Sequence, residues 1–273
     1  MHPMLNIAIR AARQAGDIII RSAESIDTLK ITIKSPNDYA TEIGKHAEEE
    51  IVNTLLSAYP DHGILSEATG YTNQGAEYLW IISPLDGATN FVHGFPHYAI
   101  SIALKHGNII EQAVIYDPVR QDLFTASRGK GATLNNRRIR VSRQRKLEDA
   151  FLGSGFTFNN GHNIEAYLDI FRDTFSKASD IRRSGSASLD LAYVAAGKLD
   201  GFFETGLKPW DFAAGLLLIQ EAGGVITDFS ANHEYFKNGN VICANPKMHR
   251  VLLDSIAPNV QKVIDAGKIK TSK

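Results

Sequence analysis

The sequence predicts a mixed fold, an α+β half over residues 1–145 followed by an α/β half over residues 146–273. Three observations carry this expectation. Two helical patterns dominate the start of the chain, short apolar strands follow, and beyond about residue 145 strand and helix patterns alternate. The seam falls in the polar stretch 135–149.

Each element has its own signal. Apolar residues recur at Leu5, Ala8, Ile9, Ala12, Ala15, Gly16 and Ile19, with Asn6, Arg10, Arg13 and Asp17 opposite, which is the spacing of a helix with one buried face. A loop holding Lys34 comes next. A second helix is predicted over 41–59, rich in Ala, Glu and Leu, and Pro60 stops it because it has no N–H. The short apolar runs 64–66 and 78–82 read as strands. Tyr98, Ile100, Ile102 and Leu104 alternate with the small Ala99, Ser101 and Ala103, as in a strand covered on both faces. A turn at Gly107-Asn108 leads to a strand over 109–116, and 123–126 reads as another. In the second half, helices are predicted over 163–176, 187–196, 210–222 and 246–266. Strands fit 150–153, 201–204, 225–229 and 241–244.

Composition narrows the class. A chain of 273 residues with 44% apolar and 22% charged residues is that of an ordinary globular protein, not a disordered or fibrous one. Lys+Arg 29 against Asp+Glu 30 gives a net charge of −1, so no global field drives it onto nucleic acid or membrane. The single cysteine, Cys243, excludes an intramolecular disulfide and a cysteine-rich zinc site. No apolar run approaches a membrane span of ~18 residues, and Met1–Leu5 shows no basic leader. The expectation is a soluble cytoplasmic protein.

The most informative stretch is Trp80-Ile81-Ile82-Ser83-Pro84-Leu85-Asp86-Gly87-Ala88-Thr89-Asn90-Phe91. A buried strand runs into a proline, an Asp-Gly turn and a helix start. Outward N–H groups beside a strand-end carboxylate suit a phosphate and a divalent cation together. The same residues also suit an ordinary strand-to-helix turn, where Asp-Gly is common for conformational reasons. Glu67 sits at the end of another strand. Asp211 falls in the first turn of an apolar helix, where a carboxylate is often only a cap.

Together with Asn37-Asp38-Tyr39-Ala40-Thr41, Arg182-Arg183-Ser184-Gly185-Ser186-Ala187, Asp200-Gly201-Phe202-Phe203-Glu204 and the PWD…EAGG stretch ending at Gly224, these segments resemble the inositol monophosphatase family of Mg²⁺-dependent phosphatases. The likeness runs from Ala8 to about Asn245. The opening MHPMLNIA and the run Asp190–Glu204 are similar to a bacterial branch of that family. The resemblance implies a layered αβαβα sandwich, usually dimeric, with Mg²⁺ ions between its halves. Such ions bridge a substrate phosphate and activate a water. It makes Glu67, Asp86 and Asp211 metal-binding carboxylates and Leu85 a carbonyl ligand. Gly87 and Ala88 become phosphate-holding amides, and Gly185, Ser186, Ala187 and Glu204 face the inositol.

Against that pattern the chain departs at four chemical positions. The family's bridging aspartate is Ser83, its water-bonded threonine is Ala88, the aspartate that orients this threonine is Gly44, and the second glutamate of a pair is Ala68. A neutral hydroxyl is a poor Mg²⁺ ligand, and neither a methyl nor a bare Cα orients water. The expectation is therefore weak or absent Mg²⁺ binding and impaired hydrolysis on a preserved fold. The alternative is an active inositol-1-phosphate or sugar-phosphate phosphatase. The bacterial branch also implies a second task, joining transcription antitermination components on ribosomal RNA operons. In this neutral chain Arg137, Arg138, Arg140, Arg143, Arg145 and Lys146 form a dense basic cluster, suited to RNA or to an acidic protein. The basic stretch at residues 268–273 reads instead as a frayed end.

Overall fold

The computed structural model describes residues 2–23, 31–35, 38–156 and 164–268. Asn37, the first residue of the helix expected over 163–176, and all but Lys268 of the basic tail lie outside them.

Helix α1 (Pro3–Ala23) is followed by a hairpin, β1 (Ile31–Ser35) and β2 (Asp38–Thr41), and then by α2 (Glu42–Ala58). Two expectations are corrected here. Lys34 belongs to a strand rather than a loop, and Thr41 ends a strand rather than starting the helix. Next come β3 (Gly63–Ser66), β4 (Gly70–Thr72), β5 (Tyr78–Asp86), the short helix α3 (Ala88–Val92), β6 (Ala99–His106), β7 (Ile109–Asp117), β8 (Asp122–Ser127), β9 (Gly131–Leu134) and β10 (Arg137–Arg138). These strands form a sheet of order β10-β9-β8-β7-β6-β5-β3-β4, antiparallel except at β3 and β5.

The second half alternates as the sequence predicts. It contains β11 (Phe151–Phe156), α4 (Ile164–Phe175), β12 (Asp180–Arg182), α5 (Ala187–Ala195), β13 (Gly201–Thr205), α6 (Pro209–Glu221), β14 (Val225–Thr227), α7 (Tyr235–Asn238), β15 (Val241–Ala244) and α8 (Pro246–Lys268). Its sheet has the order β12-β11-β13-β15-β14, parallel from β12 through β13.

Three apolar cores bind five layers into the αβαβα sandwich, the middle helical layer lying inside one of them. One core joins α1 and α2 to the first sheet, a second packs α5 and α6 between the sheets, and a third lies under α4 and α8. The two-residue period of a strand is visible in β5 and β6. Trp80, Ile82, Ile100, Ile102 and Leu104 enter the first core, whereas Leu79, Ile81, Ala99 and Ala103 enter the second. The middle helix α6 is buried from Phe212 through Ile219, as its all-round apolar sequence requires. Among the described residues no helix is long and apolar enough to cross a membrane.

Candidate functional site

The site is built where β5 ends. Ser83 pairs with Ser101 and Asp86 with Ala99, three steps on one strand against two on the other. The extra residue makes a bulge at Pro84-Leu85, where a proline costs no ladder bond, and it re-aims Asp86. Gly87 then turns the chain at φ 89°. A Cβ there would sit 2.9 Å from the His97 carbonyl oxygen, so glycine is required on both conformational and steric grounds.

Asp86 reaches across to the second half. Its Oδ2 accepts from Ser186 Oγ (2.6 Å) and from the Ser188 N–H (2.8 Å), at the N-terminal end of α5, where the helix dipole favours an anion. Ser186 is also the N-cap of α5, accepting from the Leu189 N–H. Nearby, Asn90 Nδ2 donates to the carbonyls of His97 (2.7 Å) and Ser184 (2.9 Å), a second tie between the halves. Asp211 occupies the third position of α6, and its Oδ2 accepts from the Lys208 N–H at 2.7 Å. The cap reading is thus correct for one oxygen. Glu204, on β13, is buried against its parallel neighbour Gly155, where any Cβ would overlap the carboxylate.

These groups line a cavity of about 700 Å³ that gathers Asp86, Gly185, Ser186, Ala187, Glu204 and Asp211. Glu67, Leu85, Gly87 and Ala88 are not on its wall. Glu67 is exposed just after β3, yet its charge still acts on Asp86 and Asp211. Ser83 is buried in β5, Gly44 lies in the first turn of α2, Ala68 is exposed and Ala88 opens α3.

Two charged lining residues were not read from the sequence as part of the site. Asp190 is buried on α5, and Arg183, which the sequence leaves open between a dimer or partner surface and a structural ion pair, supplies a cation to the cavity wall. Asp190 did carry a signal, since it is the one charged residue in the apolar run of α5.

The cavity is strongly acidic, and burial governs its protonation. Asp190 is pushed up to about 8 by burial and by the charge of Asp86, against a bond from Ser184. Asp211 is pushed up to about 8 by burial, Asp86 and Glu67. Glu204 is raised well above the usual range by burial and then by Asp211, Asp190 and Asp86, with Arg183 opposing. Asp86 is raised by burial, while its bonds from Ser186 and Ser188 hold it back. Carboxylates that repel one another in this way are relieved by protons or by a cation, and carboxylate oxygen is the hard donor that Mg²⁺ prefers. The donor chemistry therefore fits a single hard cation at Asp86 and Asp211. Among the described residues no group of three or more His, Cys, Asp or Glu side chains is arranged to hold a metal ion.

Comparison with known proteins agrees with this architecture. The model of the inositol monophosphatase family matches residues 1–265. A Pseudomonas aeruginosa protein named Nus factor SuhB is 51% identical over 265 residues, 95% of this chain and 98% of the relative. The Escherichia coli K12 protein of the same name is 48% identical, over 93% of this chain and 95% of the relative. Among solved structures, the extragenic suppressor protein suhB of Bartonella henselae superposes with a TM-score of 0.90 at 40% identity, covering 93% of this chain and 98% of that one. An inositol monophosphatase from Anabaena gives 0.82 at 34% identity, covering 93% and 95%.

Proposed function

The chain belongs to the inositol monophosphatase family, and from that premise we propose that it is a Nus-type transcription antitermination factor with impaired phosphate-ester hydrolysis. The observation that carries this reading is the contrast within one site. The scaffold that aims Asp86 is intact down to its bulge, its Gly87 turn and its Ser186 and Ser188 bonds. The bridging, water-holding and orienting positions carry Ser83, Ala88 and Gly44 instead of groups able to do that work. The relatives named Nus factor SuhB support the binding role.

In this reading Asp86 and Asp211 would hold one Mg²⁺ weakly, with the Leu85 carbonyl and Glu67 as the remaining family ligand positions. The chemistry that such an ion would supply here is charge neutralisation at a phosphate and a lowered pKa for water. Asp86 keeps its orientation through Ser186 and Ser188, and Asp211 through the Lys208 N–H. Gly185, Ser186, Ala187 and Glu204 form the wall that an inositol phosphate would meet. The chain acts as a cytoplasmic homodimer of two-part protomers, 1–145 and 146–273, with transcription elongation components and RNA as partners.

A second reading, an active phosphatase, is favoured by the continued gathering of Asp86, Glu204 and Asp211 around one cavity. Hydrolysis of inositol 1-phosphate at millimolar Mg²⁺ separates the two. The expected turnover is far below the ~1 s⁻¹ of a modest enzyme, and a value at or above it would establish the second reading. Restoring the four positions together (Ser83→Asp, Ala88→Thr, Gly44→Asp and Ala68→Glu) is expected to raise the rate at least about 10²-fold. Affinity capture with purified transcription elongation components tests the binding role, and no enrichment over a charge-matched control would sink it.

A further inference from the structure

We propose that the strap 137–146 is a docking surface for the phosphate backbone of RNA, the nucleic acid of the function proposed above. This deepens that reading by naming the surface, and it makes no use of the acidic cavity.

The strap begins as β10 at the edge of the first sheet and crosses to the second half. Its six cations, Arg137, Arg138, Arg140, Arg143, Arg145 and Lys146, are all exposed, and the run contains no carboxylate. Among the described residues none of the six forms an ion pair, whereas Lys198, Arg120 and Arg172 elsewhere each have one. The nearby acids are otherwise engaged. Glu221 accepts from the Gly129 and Gly131 N–H groups, and Asp122 pairs with Lys198. Glu148 and Asp149 follow the strap and carry the only exposed negative charge directly adjoining it in sequence.

The backbone under these cations is fastened at several points. The Ile139 N–H donates to the Ala132 carbonyl (3.0 Å), the Val141 N–H to the Ala222 carbonyl (3.3 Å), and Asn245 Nδ2 to the Gln144 carbonyl (2.6 Å). At Gly197 the strap passes so close that a Cβ would lie 3.0 Å from the Arg140 carbonyl oxygen. Ile139 and Val141 pack inward on the core. The cations therefore stand on a fixed ribbon, and docking costs little backbone entropy.

Two features select a phosphate backbone over a protein. Protein interfaces are anchored by apolar or aromatic side chains at their centre, and the strap exposes none. Every large exposed apolar side chain among the described residues lies elsewhere in the sequence. Five of the six cations are arginine, whose planar fork pairs with phosphate oxygens. Without aromatic rings for base stacking, the surface reads charge and not sequence.

The test is fluorescence anisotropy of the full chain with a short, unstructured, labelled RNA across about 50 to 200 mM salt. Six phosphate contacts give a slope of log affinity against log salt of roughly −4 for a single strand. The triple variant Arg140→Glu/Arg143→Glu/Arg145→Glu is expected to bind at least tenfold more weakly, with a slope shallower by roughly 2. Arg172→Glu on α4 serves as the charge control, and thermal unfolding reports whether each variant is folded. If charge reversal unfolds the chain, the Arg→Gln triple variant replaces it. DNA of the same sequence and duplex RNA, as parallel arms, show which nucleic acid is preferred. Absence of binding at about 50 mM salt, or an unchanged affinity in the folded variant, overturns the proposal. Loss of an acidic protein partner with RNA affinity intact overturns it too. RNA binding through the strap in a chain that captures no transcription component would sink the antitermination reading and leave this one standing.

Discussion

Glu48 and Glu204 are two buried glutamates with opposite surroundings. Glu48, 2% exposed on α2, accepts from Ser66 Oγ (2.6 Å), the Thr69 N–H (2.8 Å), the Thr69 hydroxyl and the Ala68 N–H (3.3 Å). Glu204, 8% exposed, has no hydrogen-bond donor among the described residues and lies among Asp86, Asp190 and Asp211 with Arg183 as the opposing charge. Burial is nearly equal, so the donors make the difference. A carboxylate surrounded by donors is a strut, here fixing the turn that carries Glu67 and Ala68. A carboxylate surrounded by other carboxylates is a site awaiting a counter-charge.

The sharpest way to break this comparison is to remove each charge in turn. Glu48→Ala leaves four donors without their acceptor and is expected to cost about 3 kcal/mol in urea unfolding. Glu204→Gln fixes this group in the uncharged state that burial and its acidic neighbours favour, and stability at pH 8 is expected to hold or rise. A cost below ~1 kcal/mol for Glu48→Ala, or a larger cost for Glu204→Gln, would erase the distinction.

A second effect follows from protonation. Asp190 is raised from 3.8 to about 8 in the folded chain. Between those values the native state keeps a proton that the unfolded chain has released, so stability falls as pH rises across that window and levels off above it. Thermal unfolding in chelator is expected to show this decline from pH 5 to 8. Asp190→Asn should make it shallower, with Asp211, also raised to about 8, and the raised Glu204 and Asp86 supplying what remains. A flat wild-type profile would mean that the cavity carries its charges without strain.

The layers of this fold were legible because their signals are local. The period of β6 sorts its apolar residues alternately between two cores, and α5, expected over 187–196, runs from Ala187 to Ala195. The hairpin at 31–41 and the three-residue strand β12 escaped, since such short pieces show no period and owe their pairing to distant partners. The same divide runs through the site. Asp86 and Asp211 are conspicuous in the sequence because a proline and a turn or helix start surround them. The bond from Ser186 spans 100 positions, and the network that makes Glu48 a strut spans 18 to 21. Nothing in the neighbouring sequence marks such contacts, because only the packing of the layers creates them.

Asp86 lies between the two glutamates, since it has donors on one oxygen and repelling charges around it. Ser186→Ala therefore tests whether the comparison is graded or all-or-none. The substitution removes the hydroxyl bond to Asp86 and the N-cap of α5 but leaves the Ser188 N–H in place. If donors are weighed one by one, the loss in urea unfolding is expected to be ~1 kcal/mol, the ordinary value of a helix cap. A cost as large as that of Glu48→Ala would mean that this hydroxyl alone holds Asp86 against its neighbours. In that case the Ser186–Asp86 bond carries a disproportionate share of the link between the two halves, and the acid cavity is a structural seam before it is a binding site.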